Sequence, residues 1–391
     1  MPFSDFIGNP EVVRRLREML ARGHFPHAAI LSGARGSGKY TLALMLARAM
    51  NCLERPADYA TKGEVATGSL VFDPAGAADE PLTDDLPDFC GHCSNCTRIA
   101  LAGELDARFA EAIEVRDNLR ETDKKETRIF VQTHPDILVI PPDPPQMMIK
   151  VDQVRHVIHR IYYRPAEARE SVYIFTSSAF MKEAANSLLK VLEEPPEFAT
   201  ILLLTENPGE LLPTIRSRAM TFTLGALGAT EMESHLAQLR PNWNPRQRSL
   251  VARLSEGAIG RALSFDLEGY IAARAHALVM LKSALGAAEH SELFKVTEGY
   301  RPGADGREKI ESLLRTLYLL LEDVMFLQSG AGQLVRNTDI QAELKKMSES
   351  ADFAWVQRAA QGLGEVERGL RRNLLRSLSL DAFATALEPG A

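Results

Sequence analysis

The stretch AILSGARGSGKYTLALMLARAM, residues 29–50, constrains this chain more than any other. An apolar run, a glycine-rich turn and an Ala/Leu-rich run read as strand, loop and helix. The loop fits the phosphate-binding pattern G-x-x-x-x-G-K through Gly33, Gly38 and Lys39. Such a loop needs backbone N–H groups and a helix N-terminus converging on phosphate oxygens. Gly36 adds another residue that turns its amide inward without steric cost. The next position breaks the pattern. A small hydroxyl there ligates the Mg²⁺ that travels with the nucleotide, and this chain has Tyr40, for which Thr41 is one example of a compensating hydroxyl. A working site also needs a carboxylate at the end of a later buried strand. The candidate strand VYIF is followed by Thr176, Ser177 and Ser178. With both metal-supporting positions degraded, the loop is expected to hold phosphate at most and not to turn over ATP.

Around this loop the pattern alternates. DILVI (136–140), SVYIFTS (171–177), TILLLTE (200–206) and MTFTL (220–224) read as strands. VDQVRHVIHRIYY (151–163) and MKEAANSLLKVLEE (181–194) read as helices, the second stopped by Pro195 and Pro196. Val12, Val13, Leu16, Met19 and Leu20 mark an opening helix. Strands alternating with helices predict an α/β fold with a parallel sheet covered on both faces. Residues 53–89 interrupt it with nine acidic and two basic residues, a surface insertion by composition. Leu101, Leu105, Phe109 and Ile113 recur every four residues and predict an amphipathic helix. Beyond Gly225 the strand signals stop. Thr230 and Glu233 read as a capping box, and helices follow in two groups divided near residue 285. The expected division is 1–224 (with insertions over about 52–132), 225–285 and 286–391.

A chain of 391 residues has room for two or three cores. Its net charge of −7 argues against holding nucleic acid by bulk positive field. MPFSDFIGNPEVVRR lacks the apolar centre of a secretory leader, and no apolar run is long enough to span a bilayer. A soluble, cytoplasmic chain with no membrane partner is expected. Its cysteines are Cys52, Cys90, Cys93 and Cys96, the last three in CGHCSNC. In a reducing compartment such clustering points to metal before disulfides. Zinc prefers four tetrahedral ligands, and the fourth is open between Cys52, His92 and His134. The 37 residues separating Cys52 from Cys90 add closure cost only logarithmically. A closed site of this kind is structural and supplies no catalysis.

AANSLLKVLEEPP (184–196) and LLPTIRSRA (211–219) resemble the clamp-loader subunits of the AAA+ class. Within that class the chain is most similar to the delta-prime family of DNA polymerase III holoenzyme subunits. The resemblance runs from FIGNPEVVRRL through THPDILVI (133–140) to GAIGRALSF (257–265), and returns at RRNLLRSLSLDAFATAL (371–387). Insertions 53–89 and 99–132 are longer than the family's. The resemblance implies an AAA+ phosphate-loop domain with an inserted zinc module, a small helical lid and a C-terminal helical collar. It also implies a hetero-oligomer with other clamp-loader subunits, acting on the sliding clamp and primer–template DNA during replication. It assigns the zinc to Cys52, Cys90, Cys93 and Cys96. Arg218 stands where the family's Ser-Arg-Cys motif presents an arginine finger to a neighbour's nucleotide, with Ala219 replacing the cysteine and Arg216 the nearest competitor for the role. Arg261, in Gly260-Arg261-Ala262-Leu263, matches a second-domain arginine that contacts nucleotide. The family role implied is a stator with no activity alone, inside a polymerase holoenzyme with clamp-loader ATPase. Two alternatives differ in class: an ATP-hydrolysing motor subunit using Thr41 and an unidentified carboxylate, and a zinc-bearing regulatory or DNA-binding protein on an AAA+ fold. No Ser-His-Asp, Cys-His or paired-carboxylate arrangement suggests independent catalysis.

Overall fold

The computed structural model describes residues 2–54, 86, 88–286, 290–300, 306–372 and 374–388, so almost all of the acidic insertion lies outside the described residues. These residues form two compact units, Met1–Leu227 with Gly257–Arg261, and Gly228–Glu256 with Ala262–Ala391.

The first unit runs α1 (Pro10–Ala21), β1 (Ala28–Ser32), α2 (Lys39–Asn51), α3 (Ser94–Ala100), α4 (Leu105–Asp117), α5 (Glu121–Glu126), β2 (Val131–His134), β3 (Ile137–Ile140), α6 (Val151–Ile161), β4 (Ser171–Phe175), α7 (Lys182–Glu193), β5 (Ala199–Thr205), α8 (Pro213–Arg216) and β6 (Met220–Thr223). The sheet order is β2-β3-β4-β5-β1-β6. Every pairing is parallel except the antiparallel edge pair β2–β3. Ile30 of β1 pairs with Leu203 of β5 and Thr221 of β6. All residues of β1, β3, β4 and β5 are buried, as expected of strands with both faces covered. Leu16, Leu42, Met45 and Leu46 from α1 and α2 pack in one core. Val154, Val157, Leu188 and Val191 from α6 and α7 pack in the other. The phosphate loop therefore leaves the carboxyl end of β1, between two neighbouring strands, where open α/β sheets bind ligands.

Three sequence expectations are corrected. The sheet has an additional antiparallel edge strand, β2, whose short and irregular burial gave no alternation to read. The helix expected from Leu101 to Ile113 breaks at a 3-10 turn over Leu101–Gly103, leaving Leu101 exposed and no residue of α4 fully buried. The four-residue recurrence is real in sequence, but the turn puts Leu101 off the α4 face. Nor does Thr230 cap a helix. Helix α9 (Ala229–Leu239) starts before it, with Gly228 at its N-cap and no side-chain cap bond.

A buried acid anchors the second insertion. The Asp143 side chain is wholly inaccessible and accepts from Arg116 Nη1 of α4 at 2.9 Å and from Lys150 Nζ at 3.0 Å. Removing one partner of a buried ion pair leaves the others uncompensated. Asp143→Ala is expected to destabilise this unit by about 3 kcal/mol, read as a lower urea midpoint with an unchanged slope.

The second unit is helical throughout its described residues. It continues from α9 with α10 (Pro245–Leu254), α11 (Ile259–Leu263, which runs across the division), α12 (Leu267–Ala284), α13 (His290–Glu298), α14 (Gly306–Gln328), α15 (Gln341–Ser350), α16 (Phe353–Arg371) and α17 (Arg376–Thr385). A reciprocal cap that sequence reading missed opens α10: Asn244 Oδ1 accepts from Gln247 N, and Gln247 Oε1 from Asn244 N, both at 2.9 Å. Leu281, Leu313, Leu317, Leu344, Leu363 and Leu380 centre its core. The buried Arg274 forks onto Asp339 at 2.7 and 2.6 Å, and Asn337 Oδ1 accepts from it at 2.9 Å. No described helix is long and apolar enough to cross a membrane.

Candidate functional site: phosphate loop, cysteine cluster and exposed arginine

The loop between β1 and α2 is shaped by its glycines. Gly36 and Gly38 have φ of +83° and +89°, left-handed values that side chains resist. A Cβ on Gly36 would lie 2.7 Å from the backbone nitrogen of Arg261, and one on Gly38 would lie 2.9 Å from the Phe6 ring. Gly260 donates its N–H to the Gly36 carbonyl at 2.8 Å, so the Gly260–Arg261 segment rests directly on the loop backbone. Gly33 is equally confined, since a Cβ there would meet the Leu224 carbonyl at 2.8 Å.

Lys39 opens α2 but folds back. Its Nζ donates to the carbonyls of Gly33 at 2.6 Å and Ala34 at 2.8 Å. Burial lowers its pKa, and the charge of Glu206 opposes that shift. Glu206 directly follows β5, the strand paired with β1. It is the carboxylate that sequence reading did not identify; the signal was its place at the end of TILLLTE. The Tyr40 hydroxyl donates to the Ala102 carbonyl at 2.6 Å, and burial pushes the phenol's pKa up. Thr41 is exposed. After β4, Ser177 Oγ accepts from Ala179 N at 3.1 Å and the Ser178 hydroxyl bonds to Glu210. The arrangement offers glycine amides and a lysine to an anion, without a free hydroxyl at the cation position.

The four cysteines converge although 37 residues separate the first from the second. Cys52 caps the end of α2, Cys93 caps the start of α3, and Cys96 lies within α3. Their sulfurs all lie within 4.8 Å of one another. Thiolates bound to one zinc at about 2.3 Å stand ~3.8 Å apart, so this set fits a tetrahedral ion. Cys52 Sγ accepts from Cys90 N and Cys90 Sγ from Cys93 N, each at 3.3 Å. Burial resists ionisation of Cys93, but hydrogen bonds from the backbone at Cys96 and Leu53 and from neighbouring thiols outweigh it, bringing the group to about 6. Burial raises Cys52 and Cys96.

Of the two histidines weighed as fourth ligands, His134 is engaged elsewhere, and His92 lies at the edge of the cluster in a second group with Glu54 and Cys90 whose ligand atoms lie within 4.8 Å of one another. His134 bonds through Nε2 to Asn95 Oδ1 at 3.1 Å and accepts at Nδ1 from Asp136 N at 3.2 Å. His92 is exposed and pairs with Glu54 at 2.9 Å.

Arg218 follows α8. Its side chain is 34% exposed, and Nη2 pairs with Glu193 Oε1 at 2.7 Å while Nη1 donates to the Thr214 carbonyl at 2.9 Å. Glu193 ends α7, so the two sequence blocks LLKVLEEPP and TIRSRA meet in space. Arg216 is exposed.

The family model described as DNA polymerase III, delta subunit, matches residues 77–227, the stretch that carries Cys90, Cys93 and Cys96, α7 and Arg218 but not Cys52. The chain is similar to the DNA polymerase III clamp-loader subunits. Subunit delta' of Bacillus subtilis is 25% identical over 322 residues, covering 82% of this chain and 78% of the relative. Subunit tau of Escherichia coli is 29% identical over 267 residues, which is 67% of this chain but 32% of tau. The chain thus spans about a third of the tau relative's length. A gamma-related protein of Thermotoga maritima aligns with 21% identity over 73% of this chain and 90% of its own, at a TM-score of 0.31.

Proposed function

We propose that this chain is a delta-prime-type clamp-loader stator: it completes a neighbour's ATP site with Arg218, and its own phosphate loop does not hydrolyse. The observation that carries this is Tyr40, whose hydroxyl is held by Ala102 where a catalytic loop needs a hydroxyl for Mg²⁺. Gly33, Gly36, Gly38, Lys39, Thr41 and Arg261 form the remnant nucleotide site. Cys52, Cys90, Cys93 and Cys96 hold a structural zinc. Residues 1–224 act as the AAA+ domain, 225–285 as the lid and 286–391 as the collar that joins other subunits, so that the assembly loads a sliding clamp onto primed DNA in the cytoplasm.

The collar role draws on exposed Leu374, Leu375 and Leu378, each more than half accessible, beside a groove of about 1100 Å³ lined by Leu314, Tyr318 and Leu370. Contiguous apolar surface of this kind marks an association site. Leu375→Asp with Leu378→Asp is expected to leave the chain folded and to weaken its co-elution with the other subunits at least ~100-fold; unchanged co-elution rejects the collar assignment. Clamp loading onto primed DNA by the reconstituted assembly, with and without this chain, tests the whole reading. Loading should require the chain, and loading that proceeds equally well without it contradicts the proposal. Glu206 favours a second reading, a motor subunit, because it sets a carboxylate near Lys39.

A further inference from the structure

The Tyr40–Ala102 hydrogen bond does more than remove a hydroxyl from the cation position. Ala102 is buried in the 3-10 turn that continues α3, the helix containing Cys96 and capped by Cys93. At its other end α2 terminates in Cys52. Between these ends Arg48 lies over the ring of Phe89, 5.4 Å from its centroid, beside Cys90. Asn95, between Cys93 and Cys96 in sequence, donates to the Asn51 carbonyl at 3.0 Å in a fully buried setting. One helix thus carries the phosphate loop at its start and a cluster ligand at its end, and is fastened to the cysteine module along its length.

We propose that Tyr40 is a positioning residue, a strut through which metal at the four cysteines fixes the phosphate loop. This rests on the zinc reading above. When metal gathers the four sulfurs, α3 and its turn are pinned, the Ala102 carbonyl is presented to Tyr40, and residues 33–40 stay in the conformation in which Lys39 caps Gly33 and Ala34. Without metal, α3 and its turn are held only by core packing and the Asn95–Asn51 hydrogen bond, and the strut's anchor loosens. Tyrosine suits this task because only a long, rigid side chain ending in a donor bridges the gap; serine or threonine could not.

The test uses the full chain and hydrogen–deuterium exchange of peptides spanning residues 30–45. In Tyr40→Phe, which keeps the ring, exchange there should rise roughly threefold to tenfold, as loss of one buried hydrogen bond allows. Metal content measured by atomic emission should be unchanged. Chelating the metal from wild type should raise exchange in the same peptides, and chelation of Tyr40→Phe should add little further there. Loop exchange insensitive to chelation overturns the proposal, as does Tyr40→Phe protecting the loop as well as tyrosine. If the purified chain carries no metal, the zinc reading fails and the metal-linked strut with it, independently of the exchange result. A tyrosine that merely fills space would be replaced by phenylalanine without effect on either arm.

Discussion

Removing metal from the cysteine cluster is expected to release one ion per chain and to destabilise the N-terminal unit while sparing the helical one. Cys52 comes from the end of α2 and the other three cysteines from beyond the insertion, so a metal held by all four would close a long loop as well as join two helices. Metal affinity becomes folding free energy when the unfolded chain offers no preformed site. The cluster belongs to a larger core, so part of the module's packing survives metal loss. Phe89 and Ile99 are buried there regardless, and Asn95, Asn51 and His134 keep their hydrogen bonds. A loss of about 3 kcal/mol is therefore expected, or a fall of roughly 6–12 °C in the melting temperature of a unit this size. Cys96→Ser should reproduce it, because Cys96 is completely buried and serine is a poor zinc ligand. Calorimetry with and without chelator checks both. An unchanged first transition would mean four free thiols.

Arg218→Ala is expected to lower ATP turnover about 10³-fold at the interface the residue serves, with little effect on the stability of the chain. Its partner Glu193 is half exposed, and such pairs hold each other by no more than ~1 kcal/mol. The guanidinium is therefore available to a stronger anion. Phosphate oxygens on a neighbouring subunit are such an anion, and a planar fork meets two of them together. Arg218→Lys should recover little, because an ammonium keeps the charge but not the fork. Single-turnover hydrolysis by the assembled complex measures both variants, and an Arg218→Ala assembly with normal turnover would remove the finger from the account.

The parts legible in sequence were those with strong periodicity or rigid local chemistry. Buried strands such as SVYIF and ATILLLT announce themselves by unbroken apolar runs, and Pro195 stops α7 where its ring requires. The glycines of the phosphate loop were readable because left-handed backbone leaves little choice. What was not readable depended on contacts between distant segments. Tyr40 looked like the residue of a lapsed site, since its partner lies 62 positions away in a turn with no signature of its own. Glu206 gained its meaning only from the pairing of β5 with β1, and Glu193 only from meeting Arg218. Helix starts were the weakest point. Thr230 has the residue type of a cap, yet Gly228 takes the position, whereas Asn244 and Gln247 form the reciprocal pair unannounced.

The central claim is that this chain serves a neighbour's site while its own is silent. The most direct test is Lys39→Ala in this chain alone, within an assembly whose other subunits are wild type, read as ATP hydrolysis stimulated by clamp and primed DNA. Turnover within about twofold of wild type is predicted, because Lys39 caps its own loop carbonyls and the Tyr40 hydroxyl beside it is held by Ala102. A loss as large as that from Arg218→Ala would contradict the account and make this subunit a motor that hydrolyses its own ATP.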